Sequence, residues 1–386
     1  MKRIHYVTLL SVAVTSALTA ATLPAQGNIS TLGFGYPLNG LSTRAAGTSG
    51  ALAEFDLLTP RNPSSLFTVN RSALAVAAEP EFRTLTYKSV KESNTIQRVP
   101  LIMAAVRLTP SLVVSVSSAG FLDRNFTTKS TGQAVINSQV LATNDIIDMR
   151  GSISDLRLAV GYRVSSRFSV GIGGHVFTGT NKLSSLRQFE DSSSFGQDSL
   201  EISGIQYFGK ALSFGGTVLL PKGFSTAASY RRGFGMEADN GDSVLTRARV
   251  PDRLSGGVMY RGIPGATFAV NVDQNKWSNM QALGSSALET HDATNVSGGA
   301  EVSTGKIRGT PVLLRAGAAR NTLPFGLNGG TVSERRFSLG SAIAITNPGR
   351  DQAVLDFSVS RANRTLSGSS AKEGAWMLGI GIQIRP

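Results

Sequence analysis

Histidine is the side chain on which most catalytic or metal chemistry in this chain would have to depend, because the sequence contains no cysteine. Only three histidines occur, at His5, His175 and His291. None lies near a serine and an acid in an arrangement that reads as a nucleophilic triad, and no G-x-S-x-G, H-E-x-x-H or P-loop motif is present. The sequence therefore predicts a protein that is not an enzyme and that has no cofactor and no metal site.

The composition excludes several broad classes of protein. Of the 386 residues, 41% are hydrophobic and only 16% are charged, which is unlike a disordered chain. A disulfide scaffold is impossible without cysteine. The 38 Lys and Arg against 25 Asp and Glu give a net charge of +13, which suits nucleic acid or an acidic surface as a partner.

The first residues have the order of a secretory signal peptide, which argues against nucleic acid. Met1-Lys2-Arg3 is a basic start, Thr8 to Ala21 is apolar and small, and Ala25 precedes the predicted cleavage site. A membrane anchor is the alternative, but this apolar stretch is short against the ~20 residues that a spanning helix needs. We predict that residues 1–25 are removed and that the protein leaves the cytoplasm.

Large apolar side chains alternate with small or polar ones from about residue 72 to the end, which indicates β-strands with two unlike faces. A soluble β-sandwich alternates too. The connections decide between them, because short turns and long polar loops alternate strictly, as in single-chain outer-membrane barrels. The last strand shows the pattern in full, with Trp376, Leu378, Ile380, Ile382 and Ile384 on one face and Met377, Gly379, Gly381, Gln383 and Arg385 on the other.

These patterns predict an all-β fold, a 14-stranded antiparallel transmembrane β-barrel over residues 72–386 with both chain ends on the periplasmic side. Residues 199–220 could form two strands, but no turn signal interrupts them and closure favours an even number. Long polar loops are expected around 91–97, 130–150, 180–198, 239–251, 278–292, 321–331 and 363–374. The predicted strands are 72–90, 98–108, 110–129, 151–164, 167–179, 199–220, 223–238, 252–261, 266–277, 293–303, 310–320, 332–345, 351–362 and 375–385.

The predicted inward face consists mainly of Gly, Ala and Ser, which leaves a wide lumen that water or a plug must fill. The segment before the first strand does not alternate and is punctuated by Gly and Pro. We predict that residues 26–71 form a hatch or plug in the lumen. Trp277 and Trp376 lie at the outer ends of their predicted strands and are expected in one aromatic belt at the outer interface. The polar residues expected to face the lumen are Asp155, Arg157, Arg163, His175 and Asp273.

Two stretches of the N-terminal segment resemble the motifs of a known family. Arg44-Ala45-Ala46-Gly47-Thr48-Ser49-Gly50-Ala51 is similar to the Arg/Gly-rich opening of the FadL-type outer-membrane transporters for long-chain fatty acids and other hydrophobic compounds. Asn62-Pro63-Ser64-Ser65-Leu66 is similar to their Asn-Pro-Ala-x-Leu motif. The PorV-type barrels of the gliding-bacterium secretion system are relatives of that family. Pro251-Asp252-Arg253-Leu254-Ser255-Gly256-Gly257 resembles the family's lead-in to a central strand.

The resemblance implies a hatch in the lumen and lateral release of ligand through a gap in the wall at the third strand. This chain departs from the family's pattern at two places. Ser64 replaces the usual Ala, and the chain ends in Pro386 rather than in an aromatic residue. The hatch or gating residues that the resemblance assigns are Asn62, Pro63, Ser64 and Leu66, and the candidates for the lateral exit are Ser117, Ser118 and Gly120.

The function favoured by the sequence is transport of hydrophobic compounds, such as long-chain fatty acids, by a hatch-gated route. A non-enzymatic scaffold of a protein secretion system and a mildly anion-selective porin stay open as alternatives. The expected location is the outer membrane of a Gram-negative-type bacterium. The expected partners are a hydrophobic small-molecule ligand, outer-membrane lipid, lipopolysaccharide at the basic outer rim and, for the scaffold, secretion-system components, with no nucleic acid.

Overall fold

The computed structural model describes residues 29, 34–68, 72–87, 90–136, 139–189, 199–283, 289–307, 310–327, 330–345 and 352–385. The predicted signal peptide, residues 1–25, and the terminal Pro386 lie outside the described residues. Apart from Ile29, the description begins with segment 34–68, which precedes the barrel.

The described residues form a closed barrel of fourteen antiparallel strands, as the alternation predicts. The strands, four of which consist of two segments, are β1 (Ala73–Ala78 and Glu81–Tyr87), β2 (Val90–Ile96 and Leu101–Arg107), β3 (Leu112–Asp123 and Phe126–Ile136), β4 (Gln139–Arg163), β5 (Phe168–Phe189), β6 (Ser199–Leu219), β7 (Phe224–Asp239), β8 (Val244–Arg249 and Arg253–Tyr260), β9 (Ala266–Asn275), β10 (Ala293–Ile307), β11 (Thr310–Leu327), β12 (Gly330–Ala344), β13 (Gln352–Leu366) and β14 (Lys372–Arg385). Strands that follow each other in sequence pair, and both segments of β1 pair with β14, which closes the ring.

Short elements accompany the barrel. Helix α1 is capped by Ser42, whose hydroxyl accepts the Ala45 amide hydrogen. No helix in the described part of the chain is long and apolar enough to cross a membrane. The short elements are the strand Tyr36–Pro37, α1 (Thr43–Ala46), the 3-10 helices Pro63–Thr68, Pro221–Gly223 and Trp277–Leu283, and the strand Glu289–Thr290.

The two faces of the wall differ as the alternation predicts. In β14, Leu378 and Ile380 are 42% and 48% exposed, whereas Met377 and Gln383 are buried. The outward face is a continuous band of large apolar side chains, far larger than the apolar patches that proteins expose to water. The inward face is small or polar, and segment 34–68 packs against it.

Several stretches predicted as polar loops are largely strand. The prediction of a loop at 130–150 is wrong, because β3 and β4 continue as a paired hairpin to Ile136 and Gln139. The ladder of backbone hydrogen bonds does not depend on side-chain polarity and continues beyond the apolar band. The predicted single strand at 199–220 is confirmed as Ser199–Leu219. The other predicted loops that the strands shorten are 91–97, 180–198, 239–251, 321–331 and 363–374.

Segment 34–68 packs against the inward faces of strands around the ring. Arg44 binds Glu301 of β10 through two hydrogen bonds of 2.6 and 2.9 Å. Arg61 lies 3.6 Å from Asp273 of β9. Thr48 lies so close to β11 that only a glycine, Gly317, fits beneath its backbone. The glycine-rich inward face therefore serves close packing of this segment.

We expect Gly317→Val to displace segment 34–68, because any Cβ at this position overlaps the Thr48 backbone. Overpacking of this kind destabilises by about 1–3 kcal/mol. Trypsin cleavage at Arg44 in the folded barrel is expected to become faster. Gly298→Val is the matched control, since a Cβ at Gly298 meets nothing within 4 Å. Equal cleavage rates in the two variants would contradict the packing described.

Candidate functional site

The wall has a break between β2 and β3. Ser117 and Ser118 still pair with β2 on one side and with β4 on the other. The Gly120 amide donates to the Pro100 carbonyl at 3.1 Å, which is the last hydrogen bond of the ladder between β2 and β3. Pro100 has no N–H with which to continue that ladder. The break therefore begins directly after the three residues predicted as the lateral exit.

Beyond Gly120, β3 bends into the lumen. Phe121 to Arg124 are four consecutive buried residues, where alternation would bury every second one. The pairing of β3 with β4 slips at Phe121, and such a bulge bends a strand. Among the described residues, Phe126–Ile136 pairs with β4 alone and Val90–Ile96 pairs with β1 alone. These two segments consequently border a gap in the wall.

The N-terminal segment covers the free edge of β3 at this gap. Tyr36–Pro37 pairs with Leu122–Asp123, and the Leu38 amide donates to the Phe121 carbonyl at 2.8 Å. The Leu38 side chain also lies against Gly120, where an added Cβ would come within 2.7 Å of Leu38 Cδ1. Residues 36–38 therefore take the place that β2 leaves.

Buried charges hold Tyr36 beside the gap. The Tyr36 hydroxyl donates to Glu334 Oε2 at 2.9 Å and accepts from Arg336 at 2.7 Å. The guanidinium carbons of three further arginines lie 4.4, 5.2 and 5.4 Å from the ring centroid, within cation–π range. We name this set the Tyr36 cluster, and besides Tyr36 it contains Arg83, Arg98, Arg336, Arg364, Glu81, Asp123, Glu334 and Glu373.

The Tyr36 cluster joins the two sides of the gap. Arg98, in the link between the two segments of β2, donates to Asp123 of β3 at 2.6 Å. This ion pair crosses the wall where the backbone ladder is missing. Burial raises the pKa of the Tyr36 hydroxyl, which therefore stays protonated and keeps its donation to Glu334. Since a buried charge without its partner is strongly destabilising, loss of one member weakens the whole cluster.

The Asn-Pro motif contacts a different part of the wall. Asn62 Oδ1 accepts the Ser64 amide hydrogen at 3.0 Å and the Ser64 hydroxyl at 2.8 Å, which starts the 3-10 helix at Pro63. Ser64 Oγ lies 2.7 Å from Thr217 Oγ1 of β6. Leu66 is buried against β4. The structure thus brings these four predicted hatch residues together on β4 to β6, whereas an earlier part of the same segment contacts the gap.

An aromatic cluster fills the lumen next to the gap. Phe121 stacks on Trp277 with ring centroids 5.3 Å apart, and Phe34 stacks on the same indole at 5.5 Å. Phe177 meets Phe121 edge-on at 4.6 Å. Phe121 thus belongs both to the bend of β3 and to this apolar interior. The cluster is completed by Leu122, Ile153, Tyr207, Ala211, Met236, Ala238, Val250, Met280 and Ala293.

The prediction that both tryptophans lie in one interfacial belt is wrong. Trp376 is 49% exposed on the outward face, whereas Trp277 is 4% exposed. β9 ends at Asn275, and the chain then turns inward as the 3-10 helix Trp277–Leu283. Parity was an available signal for this burial, because odd-numbered Trp277 continues the inward face of β9 after Asp273 and Asn275, whereas the apolar outward residues of β9 are even-numbered.

Three lumen residues form a hydrogen-bond chain that sequence reasoning missed. His175 Nδ1 lies 2.8 Å from Asp155 Oδ1, and His175 Nε2 lies 2.8 Å from Ser213 Oγ. Arg157 and His175 pair across β4 and β5, so the shared inward face and the register were the available signal. Ser213 is 1% exposed and faces the Gly173 carbonyl, an arrangement that holds the wall together rather than presenting a nucleophile. The described residues contain no group of three or more His, Asp or Glu suited to a metal ion.

Arginines border the aromatic cluster. The Arg231 guanidinium lies over the rings of Phe121 and Phe177, 5.6 and 5.3 Å from their centroids. Arg157 is 3% exposed, and its Nε and Nη2 have no hydrogen-bond partner in the structure. A buried cation with unsatisfied donors attracts an anionic group or water. Positive charge and aromatic surface therefore adjoin in one part of the lumen.

The remaining two predicted lumen residues bind segment 34–68. Arg163 of β4 donates to the Phe67 carbonyl at 2.8 Å. Asp273 of β9 accepts from Asn275 at 2.7 Å and faces Arg61. All five predicted lumen residues thus lie on the inward side, but only Asp155, Arg157 and His175 adjoin one another.

Several solved structures share this architecture. A FadL homologue from Pseudomonas aeruginosa matches with a TM-score of 0.64 at 10% identity, covering 91% of this chain and 99% of that one. The toluene transporter TbuX of Ralstonia pickettii matches with 0.61 at 14% identity, over 90% and 99% of the two chains. The toluene transporter TodX of Pseudomonas putida matches with 0.56 at 11% identity, over 90% and 98%. The fold is that of the FadL-type barrels.

The FadL-type fold confirms at the level of architecture the resemblance seen in the N-terminal motifs. No protein-family model and no curated protein sequence matches this chain. The FadL-type likeness therefore rests on the path of the chain. The Tyr36 cluster and the aromatic cluster, in contrast, consist of contacts between side chains of this chain itself.

We expect Tyr36→Ala to release residues 36–38 from the edge of β3. The substitution removes the ring that three arginines surround, and truncation of a buried aromatic residue costs about 3–5 kcal/mol. Hydrogen exchange of the Leu38 amide, measured by mass spectrometry, is expected to accelerate markedly. Tyr36→Phe keeps the ring and loses only the hydroxyl. A smaller acceleration is expected, because the lost hydrogen bonds cost about 1–3 kcal/mol of stability. Protection unchanged in Tyr36→Ala would show that the cluster does not hold this edge.

Proposed function

We propose that this protein carries hydrophobic compounds across the outer membrane by a hatch-gated lateral route. The observation that carries the proposal is the double role of Phe121. Its ring lies in the aromatic cluster of the lumen, and its backbone lies at the gap in the wall. An apolar surface thus leads from the lumen to the gap, where residues 36–38 stand in the way.

A side exit suits an apolar ligand on energetic grounds. Release into periplasmic water would expose the alkyl or aromatic surface again, at about 0.8 kcal/mol per CH₂. Passage through the gap delivers the ligand to the bilayer without that exposure. TbuX and TodX are toluene transporters, which supports a hydrophobic ligand for this chain as well.

The hatch role falls to the N-terminal segment, residues 26–71, with 72–386 as the transmembrane barrel. Segment 34–68 packs across the inward faces of the wall and supplies both Phe34 of the aromatic cluster and Tyr36 at the gap. Asn62, Pro63, Ser64 and Leu66 form its anchored end, because they sit on glycines of β4 to β6. Movement of residues 34–38, with that end held, opens the gap.

We infer that the ligand is a long-chain fatty acid rather than a neutral hydrocarbon. The supporting observation is the pair Arg157 and Arg231 at the border of the aromatic cluster. An acyl chain would occupy the apolar surface while its carboxylate meets the unsatisfied nitrogens of Arg157. Neither the porin nor the secretion scaffold has comparable support, and an open porin would require a lumen that segment 34–68 did not cover.

The outward face fits an outer-membrane location. The apolar band begins at the short turns and ends in exposed cations, at the distance of about 9–11 residues that a tilted strand needs to cross a bilayer. Phosphates of lipopolysaccharide are suitable partners for these cations at the outer interface. The exposed cations at this end of the band include Lys210, Arg232, Arg249, Arg320 and Arg335.

Deletion of residues 26–71 tests the hatch. We expect the full-length chain to conduct poorly in planar bilayers and the deleted chain to form a stable open pore, because the wide lumen then holds only water. The closed-barrel state of both chains is checked by heat-modifiable migration. Equal conductance of the two barrels would rule out the hatch.

Arg157→Met tests the ligand class. We expect binding of oleic acid to weaken about tenfold or more, since hydrogen bonds to charged groups contribute about 1.5–3 kcal/mol. Binding of toluene, measured in parallel by calorimetry, is expected to stay the same and serves as the internal control. If both ligands weakened together, Arg157 would act on the shape of the lumen rather than on a carboxylate.

A further inference from the structure

A groove runs over the outward face of the wall between β3 and β7. It encloses about 630 Å³ and is lined on its outward side by apolar residues. Its floor is Gly174, where an added Cβ would meet nothing within 4 Å. The apolar side chains that line it are Val116, Leu156, Leu158, Val176, Leu212 and Phe234.

The registers explain why the groove exists. Val116 pairs with Leu158, Leu158 with Gly174, and Gly174 with Leu212, so these four residues form one row across β3 to β6. Three members of the row project large side chains outward, and the glycine projects none. The missing side chain leaves a depression between its neighbours.

A lysine stands at one end of the groove. Lys210 pairs with Val176, one row beyond Gly174 and on the side away from the short turn Pro221–Gly223. It lies at a bulge, because the pairing of β6 with β7 slips between Gly209 and Ala211 and sets Lys210 opposite two residues of β7, Phe234 and Gly235. The ammonium group lies 5.3 Å from the Phe208 ring. This cation is therefore exposed in an otherwise apolar part of the outward face.

Two arginines on the next strands extend this positive region. The side chains of Arg232 in β7 and Arg249 in β8 are 48% and 47% exposed. Both approach the same carboxylate, Asp252, at 2.9 and 4.0 Å. One acid thus faces two arginines, which together with Lys210 leaves a net positive charge at the end of the groove.

We propose that this groove binds one lipopolysaccharide molecule, with an acyl chain over Gly174 and a lipid A phosphate at Lys210. The inference rests on the outer-membrane location of the proposed function. A cation on the lipid face is unfavourable at the bilayer centre and tolerated at the interface. The groove ends at its cationic side one bilayer crossing from the short turns, which is the level of the outer-leaflet phosphates.

The test uses the full chain, delipidated in detergent, with lipid A retention read by native mass spectrometry. We expect the wild-type barrel to retain one tightly bound lipid A and to retain dephosphorylated lipid A and phosphatidylglycerol poorly. Lys210→Gln is expected to weaken retention about fivefold, the effect of about one lysine near an anionic surface. Gly174→Leu places a side chain in the groove from a position where the added Cβ meets nothing within 4 Å, and it is expected to have a similar effect.

Arg335→Gln is the matched control, because Arg335 is an exposed cation at the same end of the barrel but lies on β12, away from the groove between β3 and β7. Retention equal to wild type in Lys210→Gln and Gly174→Leu would overturn the site. An equal loss in Arg335→Gln would overturn the groove in favour of a general basic rim. Equal retention of phosphatidylglycerol would overturn lipopolysaccharide as the ligand.

Uptake of a hydrophobic compound by proteoliposomes separates this proposal from the transport function. Lys210→Gln lies outside the lumen and is expected to transport normally while losing lipid A. Transport lost together with lipid A in this variant would overturn the view of the groove as a separate site. If the wild-type chain bound lipid A but transported nothing, the transport function would fail while the lipid site stood.

Discussion

The free edge of β3 beyond Gly120 is the constraint on which the rest of the structure depends. Backbone N–H and C=O groups at a strand edge need hydrogen-bond partners, because an unpaired buried polar group is costly, so this buried edge has to be paired by another segment of the chain. β2 cannot do so, because its ladder ends at Pro100. Residues 36–38 pair with this edge instead, and the segment that contains them has to reach it from within the barrel.

The small inward face follows from that arrangement. A segment that crosses the lumen needs room, and the positions directly beneath it are glycines such as Gly171 and Gly317, where its backbone touches the wall. Polar side chains then fasten the segment, as in the pair Arg44 and Glu301. Because the inward side chains are small, the lumen would be a water-filled pore if the segment were absent. The wall and the N-terminal segment therefore pack together to form one core.

The barrel could be predicted from sequence because period two is a local property. Each stretch of β14 shows by itself that Leu378 and Met377 face opposite ways, and turn signals count the strands. The gap could not be predicted in the same way. Phe121, Leu122 and Asp123 read as ordinary strand, and their shared burial results from a slip of register against β4. Gly120 indicated only that the backbone at this position tolerates such a bend.

The candidate site shows the same limit. His175 and Asp155 were assigned to the lumen by parity, but the contact of His175 with Ser213 depends on the stagger between β5 and β6. Trp277 has the parity of the inward face of β9, but parity alone does not show that the strand ends at Asn275 and that the chain then turns into the lumen. No sequence pattern around Tyr36 indicated its role, since its charged partners lie far away along the chain.

The composition of the Tyr36 cluster also implies an order of assembly. Its charged members come from β1, β2, β3, β12, β13 and β14, so the two ends of the strand sequence must meet before the cluster exists. Tyr36 precedes all of these strands in the chain, yet its binding place is completed last. The N-terminal segment must therefore wait, unpaired and accessible, until the final strand joins the first, and its docking reports that the ring has closed.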